Sequence, residues 1–229
     1  MIIDLHSHTK MSRCGRDWPT RLCDAMVTAG VEVLGITDHH YGIEDYGYDA
    51  YRAMIRHLQE RYRGKMQILY GIEVCTRPNH VITRTDLSEY DYCLVEDLSN
   101  PESVMQGDIL SYTASFGCPV GIAHTNLFGY AAKRGWEAER YFSSLAARGI
   151  FWEMNVNCDS THDWREHAYV GEFLVNREQQ DLVRRTGLAI SVGFDGHYAA
   201  DYDVERVRRM NDFLKEQGIP NAYDVLIAK

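Results

Sequence analysis

With 229 residues, 45% of them apolar and 25% charged, the chain is sized and composed for one soluble domain with a sizeable core, and it leaves no case for disorder. A formal charge of -9 argues against a broad nucleic-acid footprint. It still admits an anionic substrate, because bound divalent cations invert the local field of an acidic pocket. No apolar run reaches a membrane span and no basic-then-apolar leader precedes Ile2, while the six cysteines (14, 23, 75, 93, 118, 158) form no C-x-x-C pair. The expectation is a cytoplasmic protein with reduced thiols.

The first predicted element is a strand, Ile2 to Thr9 (IIDLHSHT). Residues two apart in a strand share a face, so Asp4, His6 and His8 are expected on one side, with two imidazoles able to grip one cation. Thr20 to Ala29 reads as a helix stopped by Gly30, and Val31 to Thr37 as a second strand running into Asp38-His39-His40. A Tyr- and Gly-rich loop follows, then a helix from Asp49 to Arg63 and a strand from Gln67 to Val74 that carries Glu73. His80 to Thr83 reads as a short strand, Tyr90 to Val95 as another, and Pro101 to Phe116 as a helix. Pro119 to Ala123 is a strand ending at His124, Gly135 to Arg148 a helix, and Ile150 to Met154 a strand ending at Asn155. After a long polar loop come a helix (Arg177 to Thr186), a strand (Leu188 to Gly193) leading to Asp195 and His197, and a last helix, Val204 to Glu216. Strands alternating with helices imply a parallel sheet, either a barrel or a doubly wound fold. No repeat or linker marks a boundary, so residues 1–229 are expected to form one domain.

Metal-type ligands gather at the C-terminal ends of these strands: His6 and His8, His39, Glu73, His124, Asp195 and His197. In an α/β barrel that end carries the active site, because the loops converge there. Asp4 and Asp38 are expected to orient ligands or cap structure rather than to ligate. His40 should point away from His39. His57 and the run Arg206, Arg208 and Arg209 read as solvated helix faces.

The ordered set DLHSHT, TDHH, GIEV, GIAH and FDGH, spread from residue 2 to 197, resembles the polymerase-and-histidinol-phosphatase (PHP) superfamily. The resemblance implies a distorted seven-stranded (β/α)7 TIM-like barrel and two or three divalent ions (Zn, Mn or Fe) at its mouth. It implies one ion on His6, His8, Glu73 and Asp195, and a second on Glu73, His124 and His80. A third would sit on His39, His197 and one ligand from the loop after His8. Two stretches depart from the family. That loop reads KMSRCGRD, with Arg16 where histidinol-phosphatase-like relatives carry His, which makes Asp17 the expected ligand and Cys14 the alternative. After YDYCLV the chain reads Glu96-Asp97-Leu98 where such relatives have Ser-Val-His. His80 is therefore assigned to the second ion, with Glu96 or Asp97 as alternatives.

Two loops, Val156 to Asn176 (Asn157, His162, Arg165, His167) and Thr125 to Gly135 (Asn126, Lys133, Arg134), are expected to overhang the mouth. Arg77, Arg134 and Arg165 are the candidates for binding substrate phosphate. The expected function is hydrolysis of a small phosphomonoester (histidinol-phosphate-like, nucleotide or sugar phosphate) by a metal-bridged hydroxide, with no protein nucleophile. The rival expectations are a nuclease-type phosphodiesterase, an amidohydrolase-like C–N hydrolase, which would call for a bridging Lys not found at any strand end, and an inactive metal-binding regulatory domain.

Overall fold

The computed structural model describes residues 1–228. Seven strands pair in chain order, every pair parallel: β1 (Ile3–Asp4), β2 (Val33–Ile36), β3 (Gln67–Cys75), β4 (Tyr92–Glu96), β5 (Val120–Ile122), β6 (Phe151–Asn155) and β7 (Ile190–Gly193). The two ends of the sheet meet. Leu5 N–H donates to Val192 O (2.8 Å), Asp195 N–H to His6 O (2.7 Å) and His8 N–H to Gly196 O (2.9 Å). The result is a distorted (β/α)7 TIM-like barrel, the fold expected above, and its closing seam runs through the histidine motif.

Alternation along the strands divides the core into two layers. Ile3, Leu5, Val33, Leu69, Tyr92, Leu94, Ala123, Phe151 and Ala189 fill the barrel. Their neighbours, among them Leu34, Ile68, Ile72, Val95, Ile122, Trp152 and Val192, face the surrounding helices. The inward rows change character along the strand. In β3 the row runs Leu69, Gly71, Glu73, in β4 Tyr92, Leu94, Glu96, and in β6 Phe151, Glu153, Asn155. Apolar side chains therefore plug the floor, and charged ones are left at the C-terminal mouth. Gly35 leaves room for the plug, since a Cβ there would lie 1.8 Å from the Tyr92 hydroxyl, which donates to Leu5 O at 2.6 Å.

The helices follow local signals. In α1 (Pro19–Ala29) proline sits in the first turn, where its missing N–H costs nothing, and Gly30 closes the helix at φ 83°. The helix α2 (His40–Tyr46) lies inside the stretch read as a loop, and α3 (Tyr48–Arg61) follows it after Gly47. The segment 101–116 is not one helix: Gln106 and Gly107 both have positive φ, and only α4 (Ile109–Tyr112), capped by the Asp108 carboxylate, is helical. Likewise His80 to Thr83 is not a strand. Pro78 starts a single 3-10 turn ending at His80, and the chain continues without a ladder. Beyond these lie α5 (Leu127–Lys133), α6 (Ala138–Ala147), α7 (Ala168–Val175), α8 (Arg177–Thr186), α9 (Val204–Glu216) and α10 (Ala222–Ile227). Both expected mouth loops thus carry a helix, α5 in one and α7 in the other. Among the described residues no helix is long and apolar enough to cross a membrane.

Candidate metal centre

Glu73, at the mouth end of β3, is the hub. It is buried, and its oxygens lie 3.2 Å from His6 Nε2, 3.3 Å from His8 Nε2, 2.9 Å from His39 Nδ1 and 3.3 Å from His124 Nε2. Neither oxygen has a partner aligned for a hydrogen bond. A buried carboxylate left this way is costly unless cations complete it. Asp195 closes the opposite side, with Oδ1 3.1 Å from His8 Nε2 and 3.5 Å from His6 Nε2. His197 stacks on His8 at 4.4 Å between ring centroids, and His39 stacks on the same ring at 4.6 Å.

The imidazoles are held from behind. His6 Nδ1 is 2.7 Å from Glu153 Oε1, and the other Glu153 oxygen accepts from the His124 backbone N–H at 2.6 Å. His8 Nδ1 meets Ser12 Oγ at 3.1 Å, and that hydroxyl donates to Asp38 Oδ1. His197 Nδ1 meets the Asp195 carbonyl at 2.8 Å. With each Nδ1 tied, the Nε2 atoms are aimed inward; those of His6 and His8 are 3.1 Å apart. This is how outer groups orient metal-ligating histidines. Asp4 serves the backbone instead, accepting from the N–H groups of His6 and Phe194 and from the Ser7 and Tyr202 hydroxyls.

Charge compensation tightens the cluster. Burial opposes the imidazolium of His8, but contact with Asp195 and Glu73 outweighs it and raises the pKa to about 9. Burial of His124 is likewise outweighed by Glu73, to about 10, and that of His39 by Glu73, to about 9. Burial would raise the Glu73 carboxyl, but the charges of His6 and His39 hold it well below the usual range. His197 goes the other way. Burial and the neighbouring His8 push it down to about 3, so it is a neutral, ligand-ready imidazole. Two members also hold strained backbones: Asp195 sits at φ 55° and His124 at φ 22°.

The structure brings His6, His8, His39, Glu73, His124, Asp195 and His197 together. It does not bring in Asp17, whose carboxylate pairs with Arg21 at 2.9 Å and accepts from Ala199 N–H at 2.7 Å. From that loop Cys14 is the residue that enters, with its sulfur grouped with His8, His39 and His197. Nor does it bring in His80, which ends the Pro78 turn and stacks its ring on Tyr41 at 4.3 Å. Glu96 stands at the second position instead, 3.4 Å from His39 Nδ1 and 3.7 Å from His124 Nε2. His40 points away, its Nδ1 accepting from Cys75 N–H.

None of the three arginines singled out aims at the cluster. Arg77 is paired with Asp97 at 2.6 Å, Arg134 lies over the Tyr130 ring at 3.7 Å, and Arg165 pairs with Asp163 at 3.3 Å. Arg206, read as solvated, in fact pins the mouth loop by donating to Val156 O and Glu166. That loop turns His162 inward, Nδ1 on the buried Asp159 at 2.8 Å and Nε2 3.9 Å from Asp195 Oδ2.

Residues 4–100 match the model of the PHP domain family. Over that segment the chain is similar to the PHP domain family. Its fold is similar to the crystal structure of histidinol phosphate phosphatase (HISK) from Lactococcus lactis subsp. lactis Il1403 complexed with Zn, L-histidinol and phosphate. The TM-score is 0.61 at 16% identity, over 96% of this chain and 94% of that one. It is also similar to the putative histidinol phosphatase hisK from Listeria monocytogenes, with a TM-score of 0.55 at 11% identity, over 87% of this chain and 96% of that one. At these identities the likeness is one of fold. No curated protein matches the sequence. The PHP domain match indicates a metal-dependent phosphoesterase, and a buried set of imidazole and carboxylate donors fits that chemistry. His124, Glu153, Asp195 and His197 all lie beyond the matched segment, and the barrel returns them to it.

Proposed function

We propose that this protein hydrolyses a small phosphomonoester at a centre of two or three divalent cations, with residues 1–229 acting as one unit. The observation that carries the reading is Glu73, a buried carboxylate ringed by four imidazoles with both oxygens lacking hydrogen bonds. Cations held by the surrounding imidazoles would satisfy both oxygens. His6, His8 and Asp195 would hold one cation with Glu73, and His124 and Glu96 another, while His39, His197 and Cys14 form the third set. When bound, such cations supply Lewis acidity for the phosphoryl group and lower the pKa of water.

The chain's own residues supply the preorganisation. Glu153 and Ser12 fix the tautomers of His6 and His8. Asn155 Nδ2 donates to Asp195 Oδ2 at 3.3 Å, which leaves Oδ1 toward the two imidazoles. The apolar plug below keeps water from the floor. The central group is a carboxylate, and among the described residues no lysine stands in the cluster, which favours phosphoester over C–N hydrolysis. Zn, Mn or Fe suits the mixed N and O donors better than Mg alone. Six free thiols suit a reducing compartment such as the cytoplasm.

The neighbour from Lactococcus lactis was complexed with L-histidinol and phosphate, which makes histidinol phosphate the first substrate to try. The test is metal analysis of the purified protein, then a phosphate-release screen over histidinol phosphate, nucleoside monophosphates, sugar phosphates and a diester with added Mn, Zn or Fe. Release from a monoester is expected, and E73A or D195A should abolish it in a folded protein. Turnover of diesters alone would move the assignment to a nuclease, and no turnover of either class would end it.

A further inference from the structure

Two donor groups meet in this cluster, and they differ in kind. On one side the sulfur of Cys14 and one nitrogen each of His8, His39 and His197 lie within 4.8 Å of one another. On the other, His39, Glu73 and Glu96 form a group of the same span, with His124 Nε2 3.7 Å from Glu96 Oε2. The first is a sulfur–nitrogen pocket and the second is rich in carboxylate.

The loop is built to present the thiol. Lys10 N–H donates to Asp17 O at 2.7 Å and Arg16 N–H to His197 O at 2.8 Å, so the chain from 10 to 17 doubles back against the seam. Gly15 allows the fold-back, because a Cβ there would lie 1.9 Å from Thr9 O. Cys14 is only half buried, but His39 Nδ1 and the Glu73 oxygens beside it are buried without hydrogen bonds. Thiolate is a soft donor that selects Zn and similar ions, whereas carboxylates suit Mn and Fe(II) comparatively better.

Resting on the reading of this cluster as a metal centre, we propose that the centre is heterometallic, with Cys14 as a thiolate ligand that reserves its pocket for Zn while the Glu73–Glu96–His124 side takes a harder cation such as Mn. Loading the first pocket breaks the S–H bond, forms a metal–sulfur bond and releases one proton to water, with no change of oxidation state.

The test is spectroscopic and compositional. Metal-free protein loaded with Co(II) should show the near-ultraviolet sulfur-to-cobalt charge-transfer band. C14S and C14D should lack it, C14D retaining metal through its carboxylate, and D17N should keep it. After equilibration with equal Zn and Mn and removal of free metal, wild type should retain both metals. C14D should lose its Zn preference by at least about 10-fold, the scale reached even by groups one shell out. E96H should take Zn in both pockets. A Co(II) protein without the band, a band that survives in C14D, or wild type filled with one metal throughout would overturn the proposal and leave the phosphatase reading intact. A protein that binds no metal would overturn both.

Discussion

At the scale of single residues, the donors that cluster at the mouth were legible, as was Asp38 behind Ser12, but the support from Glu153 was not. A histidine at a strand end announces itself, whereas Glu153 lies inside the apolar run Phe151-Trp152-Glu153-Met154 and reads as an accident of composition. Its signal was there all the same: a charged residue at the centre of a fully buried strand must be paired. Glu153 spans two histidines, one by its ring and one by its backbone. E153Q keeps the size and removes the charge, so it should weaken metal affinity by about 10- to 100-fold at little cost in folding. Titration of metal-free protein with a competing chelator measures this, and an unchanged affinity would show that His6 needs no carboxylate behind it. Asp17 and His80 illustrate the opposite error. Each is the right residue type at a reasonable distance along the chain, but Arg21 pairs with the first and Tyr41 stacks on the second. A loop has no periodicity from which a direction can be read.

At the scale of elements, alternation decides what each strand contributes. A strand two-sided in burial reads as a plain hydrophobic run, and β3 and β7 look alike in that respect. What distinguishes them is the inward row. Gly193 of β7 sits where a Cβ would meet Glu153 Oε1 at 2.0 Å and His6 Cβ at 2.5 Å. The glycine is thus the space into which the Glu153–His6 pair fits. G193A should push the pair apart and lower metal affinity by more than it lowers the stability of metal-free protein. Parallel metal and urea titrations would separate the two effects, and equal losses in both would assign Gly193 to packing alone. The long segment 101–116 failed as a helix for a related reason. Its apolar residues have helical spacing, but Gly107 at φ 88° breaks the chain where the spacing gives no warning.

At the scale of the whole molecule, the barrel closes between its first and last strands, and the clustered donors bracket that seam. His6 and His8 follow β1, and Asp195 and His197 follow β7. Cations bound across it should brace the fold as well as catalyse. A free cation at 100 times its dissociation constant adds about 2.7 kcal/mol to stability. Chelation should lower the midpoint of thermal unfolding accordingly, and readdition of metal should restore it. An unchanged midpoint would mean that the seam stands without metal. The outer layer makes its own contribution. Trp152 is fully buried between β6 and the helices, with Nε1 donating to Thr125 O at 2.8 Å. W152A should cost about 3–5 kcal/mol in urea unfolding, the range for emptying a large aromatic site.

The sequence by itself determined the class of fold, the donor types and their order, because strand periodicity and ligand chemistry are local properties of the chain. The tertiary structure decided what depends on closure. Only when β7 met β1 did Asp195 face His6 and His8, did Glu153 reach His6, and did Cys14 rather than Asp17 turn inward. Those pairings span up to about 190 residues, between Asp4 or His6 and the seam at Phe194 and Asp195. They are fixed by the register in which the barrel shuts, which no short window of sequence contains.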